Sequence, residues 1–122
     1  MGYNLVGTAG TAEYYSKNGV GMLTLAKPPC EGPESVIAWI RQKKIDLVIN
    51  IADGSTKSAV DEITAGYLMR RTAVDFGASL ITNIKCAVMF VEALHRNKTL
   101  PCKSSEEYVG VPMVGWANDK NP

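Results

Sequence analysis

Asp46-Leu47-Val48-Ile49-Asn50-Ile51 is the stretch whose reading decides the fold class. Leu47, Val48, Ile49 and Ile51 make a near-continuous apolar run, which is how a strand covered on both faces of a parallel sheet reads, so it is expected to lie centrally. Three shorter β-rich runs flank it, Asn4 to Gly7, Gly21 to Ala26 and Ser79 to Thr82, each ending in small or polar residues. Segments with helical spacing fill the gaps between them. Thr11 to Asn18 is a short helix stopped by Gly19, and Pro33 opens the first turn of a second, with Val36, Ile37 and Ile40 on one face and Lys43-Lys44 in its last turn. From Ala65, the positions Leu68, Met69, Thr72, Ala73 and Phe76 form a core-facing stripe ended by Gly77. Asn83 caps a last helix that carries Ile84, Ala87, Val88, Val91 and Leu94 inward and frays near Arg96. This alternation predicts an α/β fold, a three-layer sandwich with a mostly parallel sheet.

The chain has 122 residues and 46% hydrophobic content, enough for one core and too little for a second domain. The expected domain is 1–97. After Asn97 the pattern fails, and 98–122, with three prolines and two glycines, is expected to be an irregular tail or linker of the kind found where a domain is cut from a longer polypeptide. A formal net charge of +1 gives no global field for a nucleic-acid backbone or an anionic membrane, so an anion would have to be held locally. Trp39 and Trp116 have no stacking partners at useful spacing, which removes the remaining support for nucleic-acid binding. No apolar run approaches the roughly 20 residues of a membrane helix, and Met1-Gly2-Tyr3 lacks signal-peptide character, so the expected setting is soluble and cytoplasmic. Cys30, Cys86 and Cys102 show no CxxC spacing and only His95 could join them, so no metal site is expected; Cys86 reads as a small core residue on the last helix.

Ligands of open parallel sheets collect at the carboxyl ends of the strands, and each of those ends here has polar punctuation. Gly7-Thr8-Ala9-Gly10-Thr11 sets two hydroxyls around a glycine where a helix starts, placing backbone N–H groups and the positive end of a dipole before an anion. The same residues would serve to cap the helix and turn the chain, and the motif is not a Walker loop, because no Gly-Lys-Ser/Thr follows. Lys27 closes the second strand at the same rim, where an ammonium completes the neutralisation of a phosphate. Asn50-Ile51-Ala52-Asp53-Gly54-Ser55-Thr56-Lys57 follows the third strand with donors and acceptors suited to sugar hydroxyls or a base edge. Thr82-Asn83 closes the fourth, with helix capping as the equal alternative to ligand contact. Arg71 and Asp75 are spaced to pair on the helix surface, and a role for Arg70-Arg71 at a neighbouring subunit is open. His95 stands at the tail end of a helix away from the rim, so neither a Ser-His-Asp nor a Cys-His arrangement is easily built.

Taken together, Asp46 to Asn50, Gly66-Tyr67-Leu68-Met69-Arg70-Arg71-Thr72-Ala73-Val74-Asp75, Leu80 to Asn83 and Phe90-Val91-Glu92-Ala93-Leu94 resemble the carboxyl-terminal domain of the large carbamoyl-phosphate synthetase chain, which has the methylglyoxal-synthase-like fold. Gly7 to Tyr15 looks like that domain's threonine loop, so the likeness runs from about Gly2 to Leu94. The resemblance implies a regulatory module without cofactor or catalysis of its own, which binds small effectors and tunes a synthetase making carbamoyl phosphate from bicarbonate, glutamine or ammonia, and ATP. Its phosphate-binding threonines match Thr8 and Thr11 around Gly10, its phosphate-contacting lysine matches Lys27, and its strand-end asparagine matches Asn50. Ile84-Lys85-Cys86 and Phe90 to Leu94 look most like the multifunctional pyrimidine-pathway proteins, whose effectors are a uridine nucleotide and phosphoribosyl pyrophosphate. The resemblance also implies the parent's catalytic domains as partners and leaves a homo-oligomer open.

Three alternatives stand beside this reading. An arginine or urea-cycle synthetase would answer to ornithine or N-acetylglutamate, and the urea-cycle type would place the protein in mitochondria. Methylglyoxal synthase shares the fold, but Pro28-Pro29-Cys30-Glu31-Gly32 offers no aspartate where its catalytic one would fall, and Asn50 to Thr56 supplies no histidine. A docking module that binds nothing is the third. Two departures from the family are expected to matter: the strand and helix that precede the segment at Gly2 in the family fold are expected to be lacking, leaving the domain incomplete at its N-terminal side, and the loop Ala52-Asp53-Gly54-Ser55 differs from the threonine-rich loop of bacterial members.

Overall fold

A computed structural model describes residues 2–52, 59–99 and 101–110, with side chains omitted at 59–63. Its elements run β1 (Val6–Thr8), α1 (Ala9–Lys17), β2 (Leu23–Leu25), α2 (Val36–Arg41), β3 (Leu47–Ile49), α3 (Ala59–Asp75), β4 (Ser79–Ile81), α4 (Ile84–Arg96) and α5 (Ser105–Val109). Strands and helices alternate through α4, and the protein has an α/β fold with parallel strand pairing. Among the described residues the strands form two pairs. β1 runs parallel to β2, with Val6 opposite Leu23 and Thr8 opposite Leu25. β3 runs parallel to β4, with Leu47 opposite Ser79 and Ile49 opposite Ile81.

One apolar cluster ties the pairs together. Leu25 of β2, Val36 and Ile40 of α2, Val48 of β3 and Ala73 of α3 are its buried members, with Val6, Trp39, Met69 and Leu80 packed against them. Leu25 and Ile40 are each 1% exposed, and burying side chains of that size contributes about 1.5–3 kcal/mol apiece. The chain divides into two compact units, Met1–Glu92 and Ala93–Pro122. In the second, the stretch expected to be irregular contains α5, closed by a capping box in which the Ser104 hydroxyl accepts from the Glu107 N–H and the Glu107 carboxylate accepts from the Ser104 N–H.

Several stops fall where the residues put them. Gly19 and Gly77 take φ of 80° and 71°, the left-handed conformation that only glycine adopts without steric cost. Asn83 caps α4, its Oδ1 accepting from the N–H groups of Lys85 and Cys86 at 2.9 and 3.2 Å.

Other expectations are corrected. The second helix begins at Val36, not in the turn of Pro33, because the Ser35 hydroxyl accepts from the Ala38 N–H and makes Ser35 the cap. The first begins at Ala9 rather than Thr11. β3 is not covered on both faces: Val48 is buried, but Ile49 is 46% exposed. An apolar run reports hydrophobicity without saying which side chains find a partner, and here the alternation of a strand turns Val48 and Ile49 to opposite faces. Leu68 on α3 and Phe76 just past it, and Ile84, Val88 and Val91 on α4, are also exposed although they share the expected stripes, while the small residues Ala73 and Ala87 are buried. Cys86 is exposed, as are Cys30 and Cys102. Asp53 to Lys57, and Trp116 in the tail, lie outside the described residues.

Candidate functional site

β1 ends at Thr8, and α1 begins at the next residue. Thr8 therefore occupies the cap position, with extended backbone (φ −70°, ψ 162°), yet its side chain makes no capping hydrogen bond. The first N–H groups of a helix have no partner within it, and Ala9, Gly10 and Thr11 are the first three residues of α1. No acidic side chain stands in that turn to compete with an incoming anion. Gly10 is exposed, and a Cβ built there meets no atom within 4 Å. Thr11 is exposed with its methyl turned toward β1: a Cβ on Gly7 would come 3.4 Å from Thr11 Cγ2 and 2.7 Å from Met22 Sδ, so Gly7 is what lets both close over the strand.

Lys27 follows β2 by two residues, half-buried. Since Thr8 pairs with Leu25, parallel register brings Lys27 to the same end of the β1–β2 pair as Thr8. Its carbonyl accepts from the Cys30 N–H at 3.1 Å, fixing the backbone as the chain turns through Pro28 and Pro29. Beyond that turn Ser35 is buried, bridging to Ala26, with its hydroxyl donating to the Gly32 carbonyl at 2.8 Å. The rim residue is thus held from both sides.

At the other pair, Asn50 and Thr82 each stand one residue past the strand, and the register of Ile49 with Ile81 makes them neighbours. The Asn50 N–H donates to the Ile81 carbonyl at 3.0 Å. Asn83 spends its side-chain oxygen on capping α4. The structure accordingly sorts the seven candidate residues into two groups: Thr8, Gly10, Thr11 and Lys27 at β1–β2, and Asn50, Thr82 and Asn83 at β3–β4.

One residue that sequence reasoning left on the helix surface belongs to this rim. Arg70 Nη1 donates to Asn50 Oδ1 at 2.6 Å. The signal was Gly66, a glycine inside a helix and four residues before Arg70, where a missing side chain marks a close approach. Arg71, by contrast, pairs with Asp75 at 2.9 Å in the exposed geometry expected, and the carboxylate hydrogen bond raises its guanidinium pKa. His95 is exposed in the last turn of α4. A shallow pocket of about 180 Å³, floored by Ile40, Ile45 and Phe76, opens beside Asp46 and Ala78, the residues that precede β3 and β4, and so lies at the opposite end of that pair from Asn50.

The model of the MGS-like domain family matches residues 1–82. The chain belongs to that family. It is 34% identical over 119 residues to the multifunctional protein ura1 of Schizosaccharomyces pombe, covering 90% of this chain and 5% of the relative. It is 41% identical over 96 residues to the multifunctional protein pyr1-3 of Dictyostelium discoideum, covering 77% of this chain and 4% of the relative. The mitochondrial carbamoyl-phosphate synthase (ammonia) of Mus musculus is 36% identical over 111 residues, with 88% of this chain and 7% of the relative covered. The MGS-like domain thus corresponds to a small part of each of these much longer proteins.

Proposed function

We propose that this MGS-like domain binds a phosphorylated metabolite at the β1–α1 turn and regulates a carbamoyl-phosphate synthetase of which it is a part. The observation that carries the reading is the Thr8 hydroxyl, which stands at the head of α1 without capping it while the parallel register brings Lys27 to the same strand end. A phosphate there accepts from that hydroxyl and from the N–H groups of Gly10 and Thr11, and the Lys27 ammonium neutralises it. Hydrogen bonds to an ionised group contribute about 1.5–3 kcal/mol each, so two or three give an affinity that metabolite concentrations can use. Regulation requires more than binding: the effector must favour one orientation of the domain on the catalytic parts of the parent over another.

The candidate effectors differ with the kind of parent. A uridine nucleotide or phosphoribosyl pyrophosphate suits a cytoplasmic pyrimidine-pathway parent, and N-acetylglutamate a mitochondrial one. Titration calorimetry of the chain against uridine triphosphate, phosphoribosyl pyrophosphate and N-acetylglutamate separates them. Binding of a phosphorylated ligand that Thr8→Ala and Lys27→Met each weaken about tenfold or more supports the proposal, and binding that neither variant affects contradicts it. A docking role without ligand is the second reading. It is favoured by the exposed apolar side chains of α4, where Ile84, Val88 and Met89 are 57%, 58% and 69% exposed.

A further inference from the structure

The Asn50–Arg70 hydrogen bond fixes more than a distance. A guanidinium has only donors, so the amide of Asn50 must turn its oxygen to Arg70, and its NH2 is left on the far side of a planar group. Both residues are half-buried, which makes the reversed amide, with N–H facing N–H, costly. The backbone of Asn50 is fixed independently by its bond to Ile81. The position of Arg70 is set by what Gly66 lacks: a Cβ there would lie 2.9 Å from Arg70 Nη1 and 3.4 Å from Asn50 Oδ1. Any larger residue at 66 displaces the guanidinium from the helix surface on which it lies. Arg70 and Gly66 of α3, with the backbone bond just past β3, therefore hold the Asn50 amide in one polarity.

We propose that Arg70 is a positioning residue, which locks Asn50 with its NH2 presented to the ligand, so that the β3–β4 rim takes an anionic oxygen of the effector and Gly66 is the opening that permits it. This rests on the effector-binding reading above. A cluster made of an amide NH2 and a guanidinium offers hydrogen-bond donors and no acceptor, so it selects a carboxylate or phosphoryl oxygen over a hydroxyl or amino group.

The decisive variant is Asn50→Asp. It keeps an acceptor for Arg70 and so keeps the free chain folded, but it puts a second acceptor where the NH2 stood. Calorimetry with uridine triphosphate, phosphoribosyl pyrophosphate and N-acetylglutamate on the 122-residue chain, beside urea unfolding of the free chain, reads both effects. The expected result is an unchanged unfolding midpoint with affinity reduced about tenfold or more for Asn50→Asp, a comparable loss for Arg70→Met and Gly66→Ala, and partial recovery with Arg70→Lys. Asn50→Asp or Arg70→Met chains that bind as the wild type does overturn the assignment while leaving the Thr8 site standing. A wild-type chain that binds no ligand of the panel overturns the effector reading and this subsite together.

Discussion

Thr8 stands opposite Leu25 in the parallel register of β1 and β2, two residues before Lys27 on the neighbouring chain segment. The pairing joins a buried core residue, 1% exposed, to a hydroxyl at the head of α1 that the helix does not use. Folding therefore makes little demand on the Thr8 hydroxyl. Substituting Ala for a threonine that caps a helix costs about 1 kcal/mol, and because Thr8 makes no capping bond, Thr8→Ala is expected to cost well under that. Chemical denaturation of the two chains checks it; a loss of a full cap's worth of stability assigns Thr8 to the helix instead.

Gly10 offers a separate test of the same turn. It lies in the first turn of α1 with nothing within 4 Å of a built Cβ, so the fold does not require glycine there. Gly10→Ala should raise stability by up to about 1 kcal/mol through helix propensity. If an effector phosphate rests on that backbone, the added methyl weakens binding at the same time, and a stabilised chain with reduced affinity in parallel melting and calorimetry experiments is the expected pair of results.

Ser35 does for α2 what Thr8 does not do for α1. Its hydroxyl accepts from Ala38 and donates to Gly32, and the side chain is 3% exposed. Ser35→Ala is expected to cost about 1–2 kcal/mol, visible as a lower urea midpoint with an unchanged denaturant slope.

Leu25 and Ile40 anchor the cluster that joins the strand pairs. Truncating either to Ala should cost about 2–5 kcal/mol, a large share of the roughly 5–15 kcal/mol that hold a domain folded, whereas Ile40→Val should cost about 0.5–1.5 kcal/mol. Unfolding curves rank the three, and equal effects would mean that this cluster is not the core.

What the sequence made legible were features decided within a few residues. Gly19, Gly77 and Asn83 carry the local chemistry of helix ends and were read from it, and the strand positions followed from apolar runs bounded by polar ones. Burial was harder to read. Ile49, Val88 and Leu68 are as apolar as Val48, and only the tertiary arrangement decides which of them is covered. Pro33 had the composition of a helix start, but Ser35 formed the hydrogen bond that defines one. Within the candidate site, the Thr8 turn and Lys27 were visible because a strand end, a glycine and a helix start announce themselves in sequence. Arg70 was not, since its partner lies twenty residues earlier and is reached only when α3 packs beside β3.

The central claim, an anion held by the head of α1 and Lys27, is tested most directly by amide-resolved NMR of the chain titrated with uridine triphosphate. The account predicts saturable shifts concentrated at Ala9, Gly10, Thr11 and Lys27, with Asn50 at the second rim, and saturation at about tenfold higher ligand in Thr8→Ala. Shifts centred elsewhere, such as on the pocket beside Asp46 and Phe76, would contradict it.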